Sequence, residues 1–154
     1  MVGWIYADQT VKYPSKKSNN INEKINVPVL EVLCELSFKK AKKGETMNSI
    51  TILGSTGSIG TQTIDVEKHM GLKVDAISAN KNAELVIKQY YEVKPKYIAV
   101  ADKDAAKCVK DALAGKDVTV IDGQDSAKTL CEIVESDTVV NAIIGFAGLV
   151  PTLC

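Results

Sequence analysis

The strongest chemical signal in this chain of 154 residues is a glycine-containing segment, Gly54-Ser-Thr-Gly-Ser-Ile-Gly60. Backbone N–H groups at such a turn can bind phosphate oxygens, and a helix that begins there adds a partial positive charge. We expect Gly54 to permit a sharp turn, Gly57 to let the backbone approach a pyrophosphate, and Gly60 to let the helix pack closely on the preceding strand. The glycines are three and three residues apart, so the prediction depends on the flanking strand and helix as well.

A second group of polar residues, Ser78, Asn80, Lys81 and Asn82, ends the next predicted strand. Domains that prefer NAD usually place an acidic residue here for the ribose 2′-hydroxyl, whereas domains that accept NADP offer a cation and neutral donors. Lys81 can approach a 2′-phosphate and the asparagines can donate to it, while Asp75 lies too early in the strand to be the ribose acid. The segment therefore favours NADP over NAD. The alternative is a solvated turn in which Asn82 only caps the next helix.

A third segment follows the last predicted strand and contains a further pair of glycines, Gly145 and Gly148. In an open parallel sheet, the loops at the carboxyl ends of the strands line the ligand crevice. We therefore expect Ala142, Ile143 and Gly145 to lie beside the cofactor. The alternative is a tight turn from strand to helix that contacts no ligand.

The elements that must position these segments are short β-branched runs alternating with helical patterns from Ser49 onward. Such alternation predicts right-handed crossovers and a parallel sheet covered on both faces. The fold class is therefore α/β, a Rossmann-like doubly wound sheet in a single domain. The predicted strands are Ser49–Leu53, Lys73–Ser78, Lys96–Val100, Asp117–Ile121 and Thr138–Ile143. The predicted helices are Ser58–Met70, Ala83–Glu92, Asp104–Leu113 and Gln124–Val134.

The first 46 residues differ from the rest in charge and in pattern. They hold eight lysines against five acidic residues, whereas residues 47–154 hold eleven against fourteen. We therefore divide the chain into an N-terminal extension, 1–46, and a cofactor-binding domain, 47–154. A polar stretch from Pro14 is typical of a linker, and apolar residues after it predict a short amphipathic helix, interpreted as a packing helix, with a membrane surface or a partner as the alternative. These apolar residues are Val29, Val32, Leu33 and Leu36.

The composition argues against several functions. Nineteen basic residues balance nineteen acidic ones, so charge gives no reason to expect nucleic acid or an anionic membrane as a partner. Every basic residue is a lysine, and a phosphate would be held by backbone N–H groups, hydroxyls and lysine charges instead of arginine forks. The four cysteines are widely spaced, and neither a membrane span nor a signal peptide is evident. We expect a cytoplasmic protein.

Four segments follow one another along the chain, Gly-Ser-Thr-Gly-Ser-Ile-Gly, Ser-Ala-Asn-Lys-Asn, Lys94-Pro-Lys-Tyr97 and Val140–Leu153. In this combination the chain resembles the N-terminal domain of the 1-deoxy-D-xylulose 5-phosphate reductoisomerases over roughly residues 48–154. This family converts 1-deoxy-D-xylulose 5-phosphate into 2-C-methyl-D-erythritol 4-phosphate, in the non-mevalonate route to isoprenoids. It rearranges the carbon skeleton with a divalent metal and then reduces the product with NADPH.

The resemblance also implies residue roles and partners. NADPH would be the cofactor, and the full-length enzyme would add Mg or Mn, a small phosphosugar substrate and a homodimer. Where the family often has glycine, this chain has Asn80, which can still donate hydrogen bonds. The implied contacts are Thr56, Gly57, Ser58 and Ile59 for the cofactor phosphates, and Asn80, Lys81 and Asn82 for the 2′-phosphate.

Family members continue to an Asn-Lys-Glu segment, to metal-binding acids and to a substrate-phosphate site, which this chain does not match. We therefore expect no catalytic residue and no metal ligand in it, and expect the 154-residue chain to bind NADPH without turnover. One alternative is an atypical short-chain dehydrogenase fragment, because Tyr90 and Lys94 have the spacing of Tyr-x-x-x-Lys, although on the wrong helix. Another is a non-catalytic NAD(P)-binding module.

Overall fold

Five strands and four helices alternate along residues 48–143, the part of the chain that the computed structural model describes. The strands are β1 Ser49–Leu53, β2 Lys73–Ala79, β3 Tyr97–Val100, β4 Thr119–Asp122 and β5 Thr138–Asn141. The helices are α1 Ser58–Met70, α2 Ala83–Val93, α3 Lys103–Ala112 and α4 Ser126–Ile133. The predicted N-terminal amphipathic helix and the segment around Gly145 lie outside the described residues.

All neighbouring strands are parallel, and their order in the sheet is β4-β3-β2-β1-β5. The chain steps from β1 outward to β4 and then returns to place β5 on the other side of β1. The order of the strands therefore reverses between β1 and β5. In sheets of this kind ligands bind at the carboxyl ends of the strands beside such a reversal. The α/β Rossmann-like prediction is confirmed.

The sheet is covered on both faces, as predicted. Helices α1, α2 and α3 bury the larger cluster, in which Ile50, Ile52 and Ile98 of the strands are fully buried. Helix α4 covers the other face, where Leu130 packs on Leu53 and two alanines. The alternation of β1 side chains between the two clusters follows from the two-residue period of a strand. None of the described helices is both long and apolar enough to cross a membrane.

Strand β1 and helix α1 have the predicted bounds, whereas other elements differ at their ends for local reasons. Helix α3 begins one residue earlier than predicted, at Lys103, because Asp102 accepts a hydrogen bond from the Ala105 N–H at 2.9 Å and caps the helix. Strand β5 ends at Asn141 instead of Ile143. The Asn141 Oδ1 accepts from the Ile143 N–H at 3.1 Å, which turns the backbone out of the strand.

Helix α4 begins at Ser126, two residues later than predicted. The backbone at Gly123 has φ of 109°, a conformation that glycine adopts without strain. The Ser126 N–H then donates to the Gly123 carbonyl at 3.0 Å. This hydrogen bond closes a turn over the residues that the sequence pattern had assigned to the first part of the helix.

Candidate functional site

The glycine segment forms the turn between β1 and α1, at the carboxyl edge of the sheet. Gly54 has φ of 76°, and a Cβ there would lie 3.0 Å from the carbonyl carbon of Ala142. Both the backbone conformation and the close approach of the chain after β5 therefore require glycine. The Gly54 N–H donates to the Ser78 hydroxyl at 3.0 Å, and the Ser55 N–H donates to the Ser78 carbonyl at 2.7 Å. These bonds anchor the turn to β2.

Gly60 was predicted to let α1 pack closely on the preceding strand, and the structure places the close contact on the turn that follows β1 instead. A Cβ at Gly60 would lie 2.3 Å from the Gly54 carbonyl oxygen and 2.5 Å from the Ser55 Cα. Both contacts are with backbone, which cannot rotate away. The first turn of α1 can therefore lie this close to the loop only with glycine at this position.

Gly57 differs, because the protein itself does not require glycine there. It caps α1 with φ of −78° and ψ of 170°, which other residues adopt, and no side chain caps the helix. A Cβ would meet nothing nearer than the Gly54 carbonyl oxygen, at 3.4 Å. The N–H groups of Ser58 and Ile59 have no acceptor among the described residues. This end of α1 therefore offers uncapped donors beside a position with no side chain.

Sequence reasoning missed the residue that holds this turn to α2. Gln89 and Ser55 are both buried, and they form two hydrogen bonds with each other. Ser78 belongs to the polar group at the end of β2, but unlike Asn80, Lys81 and Asn82 it is buried. It is only 3% exposed and binds the glycine turn. The signal available in the sequence was a glutamine on the apolar face of an amphipathic helix, which by itself does not identify a partner.

The second segment leaves β2 at the same edge of the sheet and is exposed at Asn80, Lys81 and Asn82. Asn82 caps α2, because its Oδ1 accepts from the Leu85 N–H at 3.1 Å. The capping role considered as the alternative is therefore real. It uses only the carbonyl oxygen of the side chain, however, and leaves the amide N–H₂ of Asn82 as a donor.

Three acidic residues on β2, β4 and the loop before α3 have other structural roles. Asp75 lies early in β2, at a β-bulge, since Val74 pairs with Ile50 and Ala76 pairs with Thr51. The Asp75 carboxylate forms an ion pair with Lys73 at 2.6 Å. Asp102 caps α3. Asp122, at the end of β4, is hydrogen-bonded to Lys110, and this bond lowers the pKa of the Asp122 carboxyl. Asp75 therefore lies towards the amino end of β2, and the carboxylates of Asp102 and Asp122 are both engaged by α3.

The third segment meets the glycine turn where β5 ends. The Ala142 N–H donates to the Leu53 carbonyl at 2.8 Å, which continues the β1 and β5 pairing by one residue. Ala142 and Ile143 both lie within 3.1 Å of the position that a Gly54 Cβ would take. The structure therefore brings Ala142 and Ile143 to the turn, while Gly145 lies outside the described residues.

Two other chemical possibilities find no support among residues 48–143. No group of three or more His, Cys, Asp or Glu side chains there is arranged to hold a metal ion. Tyr90 is buried in the core between α2 and the sheet, and Lys94 ends α2 with φ of 47°. The spacing of Tyr90 and Lys94 therefore does not produce a catalytic pair at the sheet edge.

A parallel sheet with a glycine turn at its strand-order reversal, followed by a helix with uncapped N–H groups, defines a Rossmann-like dinucleotide-binding domain. Residues 50–154 match the sequence model for 1-deoxy-D-xylulose 5-phosphate reductoisomerase. The chain belongs to this family.

Relatives and solved structures agree with that assignment. The reductoisomerase of Ruminiclostridium cellulolyticum is 46% identical over 104 residues, which are 68% of this chain and 27% of the relative. The enzyme of Acetivibrio thermocellus is 46% identical over 107 residues, 70% of this chain and 28% of the relative. The chain thus spans just over a quarter of the length of these relatives.

The fold is similar to that of two solved reductoisomerase complexes. The Zymomonas mobilis enzyme in complex with NADPH is 33% identical with a TM-score of 0.64, over 69% of this chain and 28% of the other. A second reductoisomerase structure, with NADPH, fosmidomycin and magnesium, is 28% identical with a TM-score of 0.62, over 69% of this chain and 27% of the other.

Proposed function

We propose that this chain is the NADPH-binding part of a 1-deoxy-D-xylulose 5-phosphate reductoisomerase. The observation that supports this best is the uncapped N-terminus of α1, where Gly57 places no side chain beside N–H groups that have no acceptor among the described residues. Such a terminus suits a pyrophosphate, since the unpaired N–H groups and the helix dipole both favour an anion. When bound, NADPH supplies the hydride for reduction. The proposed domain is residues 47–154, after an extension over 1–46.

The proposed cofactor contacts form three groups around the carboxyl edge of the sheet. The glycine turn would hold the pyrophosphate, the exposed loop after β2 would hold the 2′-phosphate, and the chain after β5 would lie beside the cofactor. For the pyrophosphate, these residues are Thr56, Gly57, Ser58 and Ile59, in a turn whose shape depends on Gly54 and Gly60. For the 2′-phosphate they are Asn80, Lys81 and Asn82, and after β5 they are Ala142, Ile143 and Gly145.

For the whole protein we propose the reaction of the family, the conversion of 1-deoxy-D-xylulose 5-phosphate into 2-C-methyl-D-erythritol 4-phosphate. A divalent metal (Mg or Mn), the phosphosugar substrate and a homodimer belong to this proposal. So do a cytoplasmic location and the absence of nucleic acid or membrane partners. Family membership supports these assignments, and the described residues supply the cofactor domain alone.

Titration of the 154-residue chain with NADPH and NADH tests the proposed function. We expect NADPH to bind more tightly than NADH. We expect Lys81→Ala to lower the affinity for NADPH about fivefold and to leave the affinity for NADH unchanged, because a contact between a lysine and a phosphate contributes on the order of 1 kcal/mol. Cofactor fluorescence gives both dissociation constants. Lys88→Ala, an exposed lysine on α2, is the matched control. A chain that binds neither cofactor, or that prefers NADH, would contradict the proposal.

Gly57→Ala separates cofactor binding from folding. The added methyl group has room within the protein and the backbone angles suit alanine, so the free energy of unfolding should change by less than about 1 kcal/mol. The same methyl group would occupy the space through which a pyrophosphate reaches the backbone. We expect NADPH affinity to fall tenfold or more, measured on the same sample as its urea unfolding curve. Unchanged affinity would remove Gly57 from the proposed site.

A further inference from the structure

A buried pair of polar side chains connects the glycine turn to helix α2. Gln89 is 2% exposed and Ser55 is fully buried. The Ser55 hydroxyl donates to the Gln89 Oε1 at 2.7 Å, and the Gln89 Nε2 donates back to the Ser55 carbonyl at 2.8 Å. Burying an amide and a hydroxyl is costly unless both are paired. Here each side chain provides a hydrogen-bond partner for the other.

The second of these bonds fixes the orientation of one peptide unit in the turn. The Ser55 carbonyl and the Thr56 N–H belong to the same planar peptide group, and in the trans form they point in opposite directions. Because Gln89 holds the carbonyl toward the core, the Thr56 N–H must point away from it. That N–H has no acceptor among the described residues. Gln89 therefore sets the direction of a donor that it does not touch.

The same helix carries the other proposed phosphate contact. Asn82 caps α2, and Gln89 lies two turns further on, about 10 Å along the axis at 1.5 Å per residue. Helix α2 thus connects the exposed loop after β2 directly to the backbone of the glycine turn. A displacement of one segment would be transmitted to the other through the Gln89 side chain.

We propose that Gln89 is a positioning residue for the cofactor, which aims the Thr56 N–H at the pyrophosphate and fixes the glycine turn relative to the 2′-phosphate loop. This inference rests on the proposed function. It assigns a role in binding to a residue that lies in the core and contacts no ligand, and it identifies the pyrophosphate as the part of the cofactor that is affected.

The variant Gln89→Met tests the proposal, because methionine has a similar length and makes neither hydrogen bond. Two ligands are titrated against the 154-residue chain, NADPH and adenosine 2′-phosphate, the second of which lacks the pyrophosphate. We expect the dissociation constant of NADPH to rise about tenfold and that of adenosine 2′-phosphate to change less than twofold. Lys88→Met, the adjacent exposed residue on the same helix, should change neither constant.

A purely structural role gives a different pattern. If Gln89 only stabilised the fold, both ligands would weaken by the same factor, and that result would overturn the proposal. Equal NADPH affinity in a folded Gln89→Met chain would overturn it as well. Should Gln89→Met fail to fold, Ser55→Ala removes the hydroxyl that holds the Gln89 Oε1 and so loosens the amide that orients the peptide. We expect it to weaken NADPH about threefold without affecting adenosine 2′-phosphate, and unchanged NADPH affinity in this variant would overturn the proposal. Failure of the unmodified chain to bind NADPH would refute the proposed function and this inference together. Equal NADPH binding by the unmodified chain and by Gln89→Met would refute the inference alone.

Discussion

Replacing Gly60 with alanine is expected to lower the free energy of unfolding by about 3 kcal/mol or more. The new Cβ would lie 2.3 Å from the Gly54 carbonyl oxygen and 2.5 Å from the Ser55 Cα. Inserting one methyl group into a packed interior commonly costs 1–3 kcal/mol when neighbouring side chains can move. Here the neighbours are backbone atoms of the glycine turn, so the first turn of α1 and the glycine turn must move apart.

Urea denaturation followed by far-UV circular dichroism would measure this loss. Gly57→Ala is the matched control, because it adds the same methyl group to the same turn and its nearest contact is at 3.4 Å. The two variants should therefore separate: Gly60→Ala loses stability, and Gly57→Ala keeps it while losing cofactor affinity. A Gly60→Ala chain with the unfolding midpoint of the unmodified protein would show that α1 does not pack as described.

The elements around the glycine turn could be predicted from the sequence because their signals are local. Strand β1 is followed by Gly54, which has positive φ, and α1 is followed by Gly71, which has φ of 70° and donates to the Glu67 carbonyl. Glycine at such positions is the common signal for a turn or a helix end. Both elements accordingly have the predicted bounds.

The network that supports the turn could not be predicted, because it depends on which elements become neighbours. Gln89 and Ser55 are 34 residues apart, and Ser78 is 24 residues from Gly54. Their pairing requires the order of the strands, which alternation of elements does not specify. The β-bulge at Asp75 could not be predicted for the same reason, since an extra residue in one strand can be recognised only when the pairing with the neighbouring strand is known. Local sequence patterns thus predict the helices and strands, whereas the contacts between these elements can be known only from the order of the strands in the sheet.

The carboxyl group of Glu67 on α1 is also buried. Its side chain is 1% exposed, and neither carboxylate oxygen has a hydrogen-bond partner among the described residues. It lies seven residues after Gly60, on the face of α1 that also buries Thr63 and Ile64. Removing a carboxylate from water without compensation disfavours its charged form. Burial accordingly raises the pKa of Glu67 from 4.5 to about 7.

This pKa makes the stability of the domain depend on pH with a defined sign. Below pH 4.5 the Glu67 carboxyl is protonated in both the folded and the unfolded chain, so its ionisation does not lower the free energy of unfolding. Between pH 4.5 and about 7 the unfolded chain releases the proton and the folded chain keeps it, and the free energy of unfolding therefore falls as the pH rises. The difference in pKa corresponds to a loss of about 3 kcal/mol, complete above the folded pKa.

Glu67→Met is expected to remove this loss and to stabilise the chain at pH 8 by about 3 kcal/mol more than it does at pH 4.5. Methionine fills a similar volume without a group that ionises, and the comparison at two pH values cancels any constant effect of packing. Urea unfolding of both chains at each pH gives the four free energies required. Glu132→Met replaces an exposed carboxylate that lies 3.7 Å from Lys128, and it should show a change with pH of less than 1 kcal/mol, since exposed pairs contribute about 0.2–1 kcal/mol. If the stability difference between Glu67→Met and the unmodified chain is the same at both pH values, Glu67 is not buried as a neutral acid, and its carboxylate has water or a partner within reach.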